Sequence, residues 1–205
     1  MRLIELAYER RPVRPGPSLG INLRAASYSR VESGRVGQVR AVLDAVARRR
    51  PDIGFVPLPV SLTGEPDALT ISRLIGSHPT GSDAASAVDD PLKLIERTRE
   101  CRAVVTGSYH AGLFALSMGI PVVGVAASAY YRSKFAGLQA QFGVGCTLVD
   151  LDEAGFADRL RAAIDHAWDR AEDERPAILA AAAHQIELSW AAYRKLETLV
   201  RGGRA

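Results

Sequence analysis

Short apolar runs alternate along this chain with stretches of helical period. Leu19-Gly20-Ile21-Asn22-Leu23 reads as a first strand, and Val36, Val39, Leu43 and Val46 then fall at the three- and four-residue spacing of a helix. Ile53 to Val60 is apolar and bounded by Pro51 and Gly64, the pattern of a strand buried on both faces. Ala68 to Ile75 reads as a helix, and Gly76 to Ser86, rich in Gly, Ser and Thr, as a loop. Asp90-Pro91 opens a further helix, with Asp90 as cap, Pro91 in the first turn, and Leu92 and Ile95 on the buried face.

Ala103-Val104-Val105-Thr106 is the next strand, and Tyr130 to Phe142 a helix stopped by Gly143. Thr147-Leu148-Val149 is a short last strand, after which Asp152 is expected to cap a helix carrying Phe156, Leu160, Ala163 and Ile164. A separate final helix is expected from Pro176 to Arg201. Its Leu179, Ala182, Ile186, Trp190, Tyr193, Leu196 and Val200 form one wide apolar stripe with two large aromatics, which either closes the sheet's outer layer or packs against a further domain; the helix is expected to be under-packed in the isolated chain. Strands alternating with helices predict an α/β fold with a doubly wound, Rossmann-like parallel sheet of five or six strands. The expected division is 1–17 as N-terminal segment and connector, 18–170 as the α/β domain, and 171–205 as the C-terminal helix.

The stretch from Thr106 to Val125 carries the densest information: strand end, tight turn, helix, second turn, next strand, with His110 in the helix's first turn. Helix N-termini present unpaired N–H groups and partial positive charge, so Gly107 and Ser108 are candidate backbone donors to a phosphate or carboxylate. His110, expected at the C-terminal edge of the sheet, where such folds bind ligands, is the candidate acid–base group. Gly107 to Tyr131 contains no Asp, Glu, Lys or Arg, yet Gly119 and Pro121 break it and Val122, Val123 and Val125 prefer a strand. A short helix followed by a buried strand fits better than a membrane span.

With 205 residues, 47% hydrophobic and 24% charged, the chain can bury a full core and is not expected to be disordered. Met1-Arg2-Leu3-Ile4-Glu5 does not read as a secretory leader, and Cys101 and Cys146 lack metal or redox spacing. A reduced, cytoplasmic protein with no structural metal and no cofactor is the expectation. The net charge of +3 is uneven: residues 1–50 hold eleven Arg against four acidic residues, +7, leaving −4 for the rest. That front end suits an anionic ligand, while the absence of interleaved aromatics argues against nucleic acid.

At Thr106 to Val125 and onward the chain resembles the polysaccharide pyruvyl transferase family. The matching features are the valine-rich strand, the turn ending in Tyr109-His110, Phe114-Ala115-Leu116, and Gly119-Ile120-Pro121-Val122-Val123. Tyr130-Tyr131-Arg132-Ser133-Lys134-Phe135, Gly137-Leu138 and Phe142-Gly143 follow, and Leu23-Arg24 matches a strand ending in arginine. The resemblance covers roughly Leu19 to Asp150. It implies a transferase that moves the pyruvyl group of phosphoenolpyruvate onto a sugar as a ketal, in surface polysaccharide biosynthesis. It further implies one half, the C-terminal one, of a two-domain fold like that of GT-B glycosyltransferases, with an N-terminal half as partner. Carried onto this sequence, the catalytic candidates are His110, Lys134 and Arg24. The substrate-binding candidates are Gly107, Ser108, Tyr109, Ser128, Tyr130, Tyr131 and Arg132, and the expected acceptor is a nucleotide- or lipid-linked sugar. The family's usual arginine two residues before the histidine is replaced here by Ser108. Two other readings stay open: a GT-B glycosyltransferase, with Glu65 or Asp67 gripping a ribose, and a non-catalytic remnant that binds a nucleotide sugar or a partner.

Overall fold

A computed structural model of the chain describes residues 2–23, 31–61, 67–78, 88 and 90–202. Among these residues five strands form one sheet, all parallel: β1 (Ser18–Asn22), β2 (Gly54–Pro57), β3 (Cys101–Thr106), β4 (Val122–Ala126) and β5 (Cys146–Asp150), in the order β2-β1-β3-β4-β5. The helices are α1 (Arg2–Glu9), α2 (Ser33–Arg49), α3 (Asp67–Ile75), α4 (Pro91–Thr98), α5 (Tyr109–Ser117), α6 (Ala129–Phe142) and α7 (Phe156–Gly202). β1 to β4 are buried on both faces because helices cover both, so they appear in the sequence as unbroken apolar runs, whereas β5 at the sheet edge is only partly buried.

Side chains alternate between two cores. Ala103, Val105, Val123 and Val125 point to one face, with Val36, Val39 and Leu43 of α2, Ile71 and Leu74 of α3, and Phe156, Leu160 and Ile164 of α7. Cys101, Val104 and Val122 point to the other, with Leu94 and Ile95 of α4, Phe114 to Leu116 of α5, Phe135 and Leu138 of α6, and Ile178 and Ala182 of α7. Gly124 sits where a Cβ would stand 2.7 Å from Phe135 Cε1, so α6 packs flush on β4 only because that position has no side chain.

Several boundaries differ from the sequence expectation. Residues 2–9, for which the sequence reading assigns no element within the N-terminal segment, form α1, with Ala7 buried and Ile4 and Tyr8 packed on the second core. Asp152 does not cap α7. Its backbone N–H donates to Asp150 Oδ1 (3.0 Å), and the helix begins only after Gly155, whose φ of 72° ends the preceding turn. Pro176 does not begin a new helix but lies inside α7, which runs for 47 residues. Arg175, 8% exposed, holds this crossing in place by donating to the carbonyls of Met118 (2.8 Å) and Pro12.

The expected stripe on the last helix divides in two. Ala182 is buried, whereas Trp190, Tyr193, Leu196 and Val200 are exposed. Trp190 Nε1 still donates to Glu5, and every residue from 191 to 201 is exposed. The charge-free stretch 107–131 folds as α5 and β4, and no helix among the described residues is long and apolar enough to cross a membrane.

Candidate functional site

The chain leaves β1 toward β2 on one side and β3 toward β4 on the other, so the connections diverge at the C-terminal ends of β1 and β3. A crevice at such a switch point is where open α/β sheets receive ligands. Here it is a cleft of about 160 Å³, walled by Leu23, the Val60–Ser61 loop, the Gly107–His110 turn, Val125 to Ala127, Tyr131 and Lys134.

A buried polar network sets the shape of the cleft. Asp67 at the start of α3 is 1% exposed, and its Oδ2 accepts from Val60 N (2.9 Å), Ser61 N (3.0 Å) and Asn22 Nδ2 (2.9 Å). Asn22, fully buried at the end of β1, also donates to the Leu58 carbonyl (2.9 Å), and its Oδ1 accepts from Thr106 Oγ1 (3.2 Å). One chain of hydrogen bonds thus ties the loop after β2 to the ends of β1 and β3. Asn22 and Thr106 were not candidates on sequence, and Asp67 was one only as a ribose grip; the visible signal was a polar Asn inside an otherwise apolar strand.

This network changes which backbone groups face the cleft. Gly107 N donates to the Asn22 carbonyl (3.0 Å) and Ser108 N to Thr106 Oγ1 (2.8 Å), so the two amides expected to hold an anion are already engaged. Ser108 Oγ caps α5 by accepting from Ala111 N (3.5 Å). The amides of Tyr109 and His110 have no hydrogen-bond acceptor among the described residues, so donor capacity has moved two residues on. Ser128, 7% exposed, caps α6 in the same way through Tyr131 N (3.4 Å), so two helix N-termini meet at the cleft.

His110 is exposed in the first turn of α5, edge-on to Tyr109 at 5.7 Å between ring centroids. Its ring nitrogens have no hydrogen-bond partner among the described residues. Lys134, one turn into α6, stands with Nζ 4.6 Å from the Tyr130 ring centroid and 5.3 Å from that of Tyr109. A hydrogen bond to Tyr130 raises its pKa above the usual lysine value, so it is a cation throughout the neutral range. Tyr130 itself is 61% exposed, and Tyr131 packs on the second core.

Arg132 takes another direction. Its Nη1 donates to the Ala127 carbonyl (3.1 Å) and pairs with Asp150 (3.1 Å) at the end of β5 rather than lining the cleft. Arg24 and Glu65 lie outside the described residues. The cysteines are not poised nucleophiles: burial raises the Cys101 thiol far above its usual range and pushes Cys146 up to about 12.

Fold and cleft together define an open, doubly wound α/β domain whose switch-point crevice is edged by two capped helix N-termini, a histidine and a lysine. A family model described as polysaccharide pyruvyl transferase matches residues 34–128, so the resemblance drawn from the histidine motif is shown for the segment that carries it. That family is one of transferases. The match runs from α2 to Ser128; it includes Gly107 to His110 and stops short of Tyr130, Arg132 and Lys134. No curated protein matches the chain.

Proposed function

We propose that the chain forms the phosphoenolpyruvate side of a pyruvyl transferase. The observation that carries this reading is the convergence, on one cleft, of the Tyr109 and His110 amides, unpaired among the described residues, with the Lys134 ammonium, inside or next to the segment matched by the family model. A trianionic donor suits two helix N-termini and a point-charge cation. In the reaction two acceptor hydroxyls bond to C2 of the pyruvyl unit and the C2–O bond to phosphate breaks; of the two hydroxyl protons released, one goes to C3 and the other leaves with phosphate. His110 is the group placed to take a proton from an attacking hydroxyl. The position usually held by arginine is Ser108, whose oxygen is spent on the α5 cap, so Lys134 takes over charge recognition.

Asp67 weighs against the sugar-nucleotide reading. A carboxylate that grips a ribose must be accessible to its hydroxyls, and Asp67 is 1% exposed with its Oδ2 already fixing the Val60–Ser61 loop. The reading is tested by following phosphate release from phosphoenolpyruvate with a glycan acceptor by phosphorus NMR. His110→Ala is expected to slow release by about 10²- to 10⁴-fold, the usual contribution of a positioned acid–base group. Unchanged turnover in His110→Ala would remove the base from the mechanism, and release of a nucleotide from a sugar nucleotide instead would favour a glycosyltransferase.

A further inference from the structure

Asn22 and Thr106 are the last residues of β1 and β3 and stand opposite each other in the parallel register. Both are fully buried, at the ends of strands whose preceding residues, Ile21 and Val105, are apolar. Two apolar side chains of the same shapes would serve the sheet as well, since a buried hydrogen-bonded pair gains little over them. The pair instead fixes the turn before α5. The Asn22 carbonyl accepts from Gly107 N (3.0 Å), and Thr106 Oγ1 accepts from Ser108 N (2.8 Å). Asn22 Nδ2 is committed to the Leu58 carbonyl and Asp67 Oδ2, which turns Oδ1 toward Thr106 and gives the hydroxyl proton an acceptor at 3.2 Å. The Ser108 carbonyl is a second acceptor for that proton, also at 3.2 Å. One hydroxyl thereby holds both backbone polar groups of Ser108, the residue that turns the chain into α5 at φ −97° and ψ 123°.

Resting on the pyruvyl-transfer reading, we propose that Thr106, braced by Asn22, is a positioning residue for the donor: its hydroxyl occupies Ser108 N and so assigns the phosphate to the next two amides, Tyr109 and His110, in the cleft that Lys134 lines. Ser108 N points at a fully buried oxygen, so no anion can take over that bond where the amide stands. Without the hydroxyl, the turn must rotate to satisfy Ser108 N, because a buried donor left unpaired is costly. The rotation carries the Tyr109 and His110 amides away from the geometry that holds the phosphate. Thr106 touches neither substrate; it acts through Ser108.

The test is an NMR titration of the 205-residue chain with inorganic phosphate, read at the Tyr109 and His110 amides, for the unaltered chain and for Thr106→Ser, Thr106→Cys and Thr106→Val, with urea unfolding of each. Serine keeps the oxygen and loses a methyl group, valine keeps the shape and loses the oxygen, and cysteine offers only a weak acceptor. Thr106→Ser is expected to bind phosphate within about twofold of the unaltered chain, even though the missing methyl group makes it less stable. Thr106→Cys and Thr106→Val should bind about three- to tenfold more weakly, the range set by one hydrogen bond. A packing role gives the opposite order, with valine at full strength and serine weakest. Should Thr106→Val not fold, the comparison of serine with cysteine decides. Cysteine or valine variants that bind as tightly as the unaltered chain, or a serine variant that binds no better than either, would overturn the positioning role and leave the donor reading standing. No response of the Tyr109 and His110 amides to phosphate in the unaltered chain would overturn the donor reading, and this role with it.

Discussion

Asp67→Ala is expected to damage the fold and the site together, and the structure gives the size of the effect. Asp67 Oδ2 accepts three N–H bonds of 2.9–3.0 Å in a position 1% exposed to solvent. Hydrogen bonds to a charged group contribute roughly 1.5–3 kcal/mol each, and a buried donor left without a partner costs a similar amount. Asn22 Nδ2 keeps its bond to the Leu58 carbonyl, and the Val60 and Ser61 amides are only partly buried, so water replaces part of what is lost. The net loss is then roughly 3–5 kcal/mol, a large share of the 5–15 kcal/mol that stabilises a typical domain. For a chain of this length that corresponds to a fall in Tm of about 10 °C. Asp67→Asn keeps one accepting oxygen and should lose about half as much. Urea unfolding followed by circular dichroism measures both variants, with an unchanged slope expected because the surface exposed on unfolding is the same. A loss below about 1 kcal/mol for Asp67→Ala would refute the view that this carboxylate organises the loops around the cleft.

Gly124→Ala drives a methyl group into the fully buried Phe135 ring, and urea unfolding should register a loss of about 1–3 kcal/mol, as overpacked cores show. Native-state hydrogen exchange should find amides from about residue 191 onward exchanging far faster than those of Phe156 to Ala182, because that end of α7 is exposed while the earlier part is packed on both cores. Strong protection across Tyr193 to Leu199 would mean that the exposed stripe is covered in solution.

The sheet was legible in the sequence because parallel strands covered on both faces leave apolar runs that nothing else explains, as in Ala103 to Val105 and Val122 to Val125. The position of His110 followed from the same pattern, since a strand, a turn and a helix can place it only at the C-terminal edge. The state of the neighbouring amides was not legible. Whether Gly107 N is free depends on the Asn22 carbonyl at the end of a different strand, and whether Ser108 N is free depends on the rotamer of Thr106. Arg132 likewise reads as a cation beside the cleft until Asp150 is seen to hold it. Pro176 reads as a helix boundary because proline normally is one; the Arg175 bonds to Met118 and Pro12 that hold the helix there are tertiary. α1 was not legible because eight residues are too few to form a helix on their own, and its packing against the second core is again tertiary.

The most direct measurement of the central claim is phosphoenolpyruvate binding to the chain itself, by calorimetry and by the amide shifts of Tyr109 and His110. The account predicts saturable binding that inorganic phosphate displaces and that Lys134→Ala weakens at least about tenfold, with no loss between pH 7 and 9 because the raised pKa keeps Lys134 charged throughout. That contribution is fully present below the ordinary lysine range and disappears only as pH rises through the raised value. Binding of equal strength in Lys134→Ala, or shifts confined to residues away from the α5 and α6 N-termini, would contradict it.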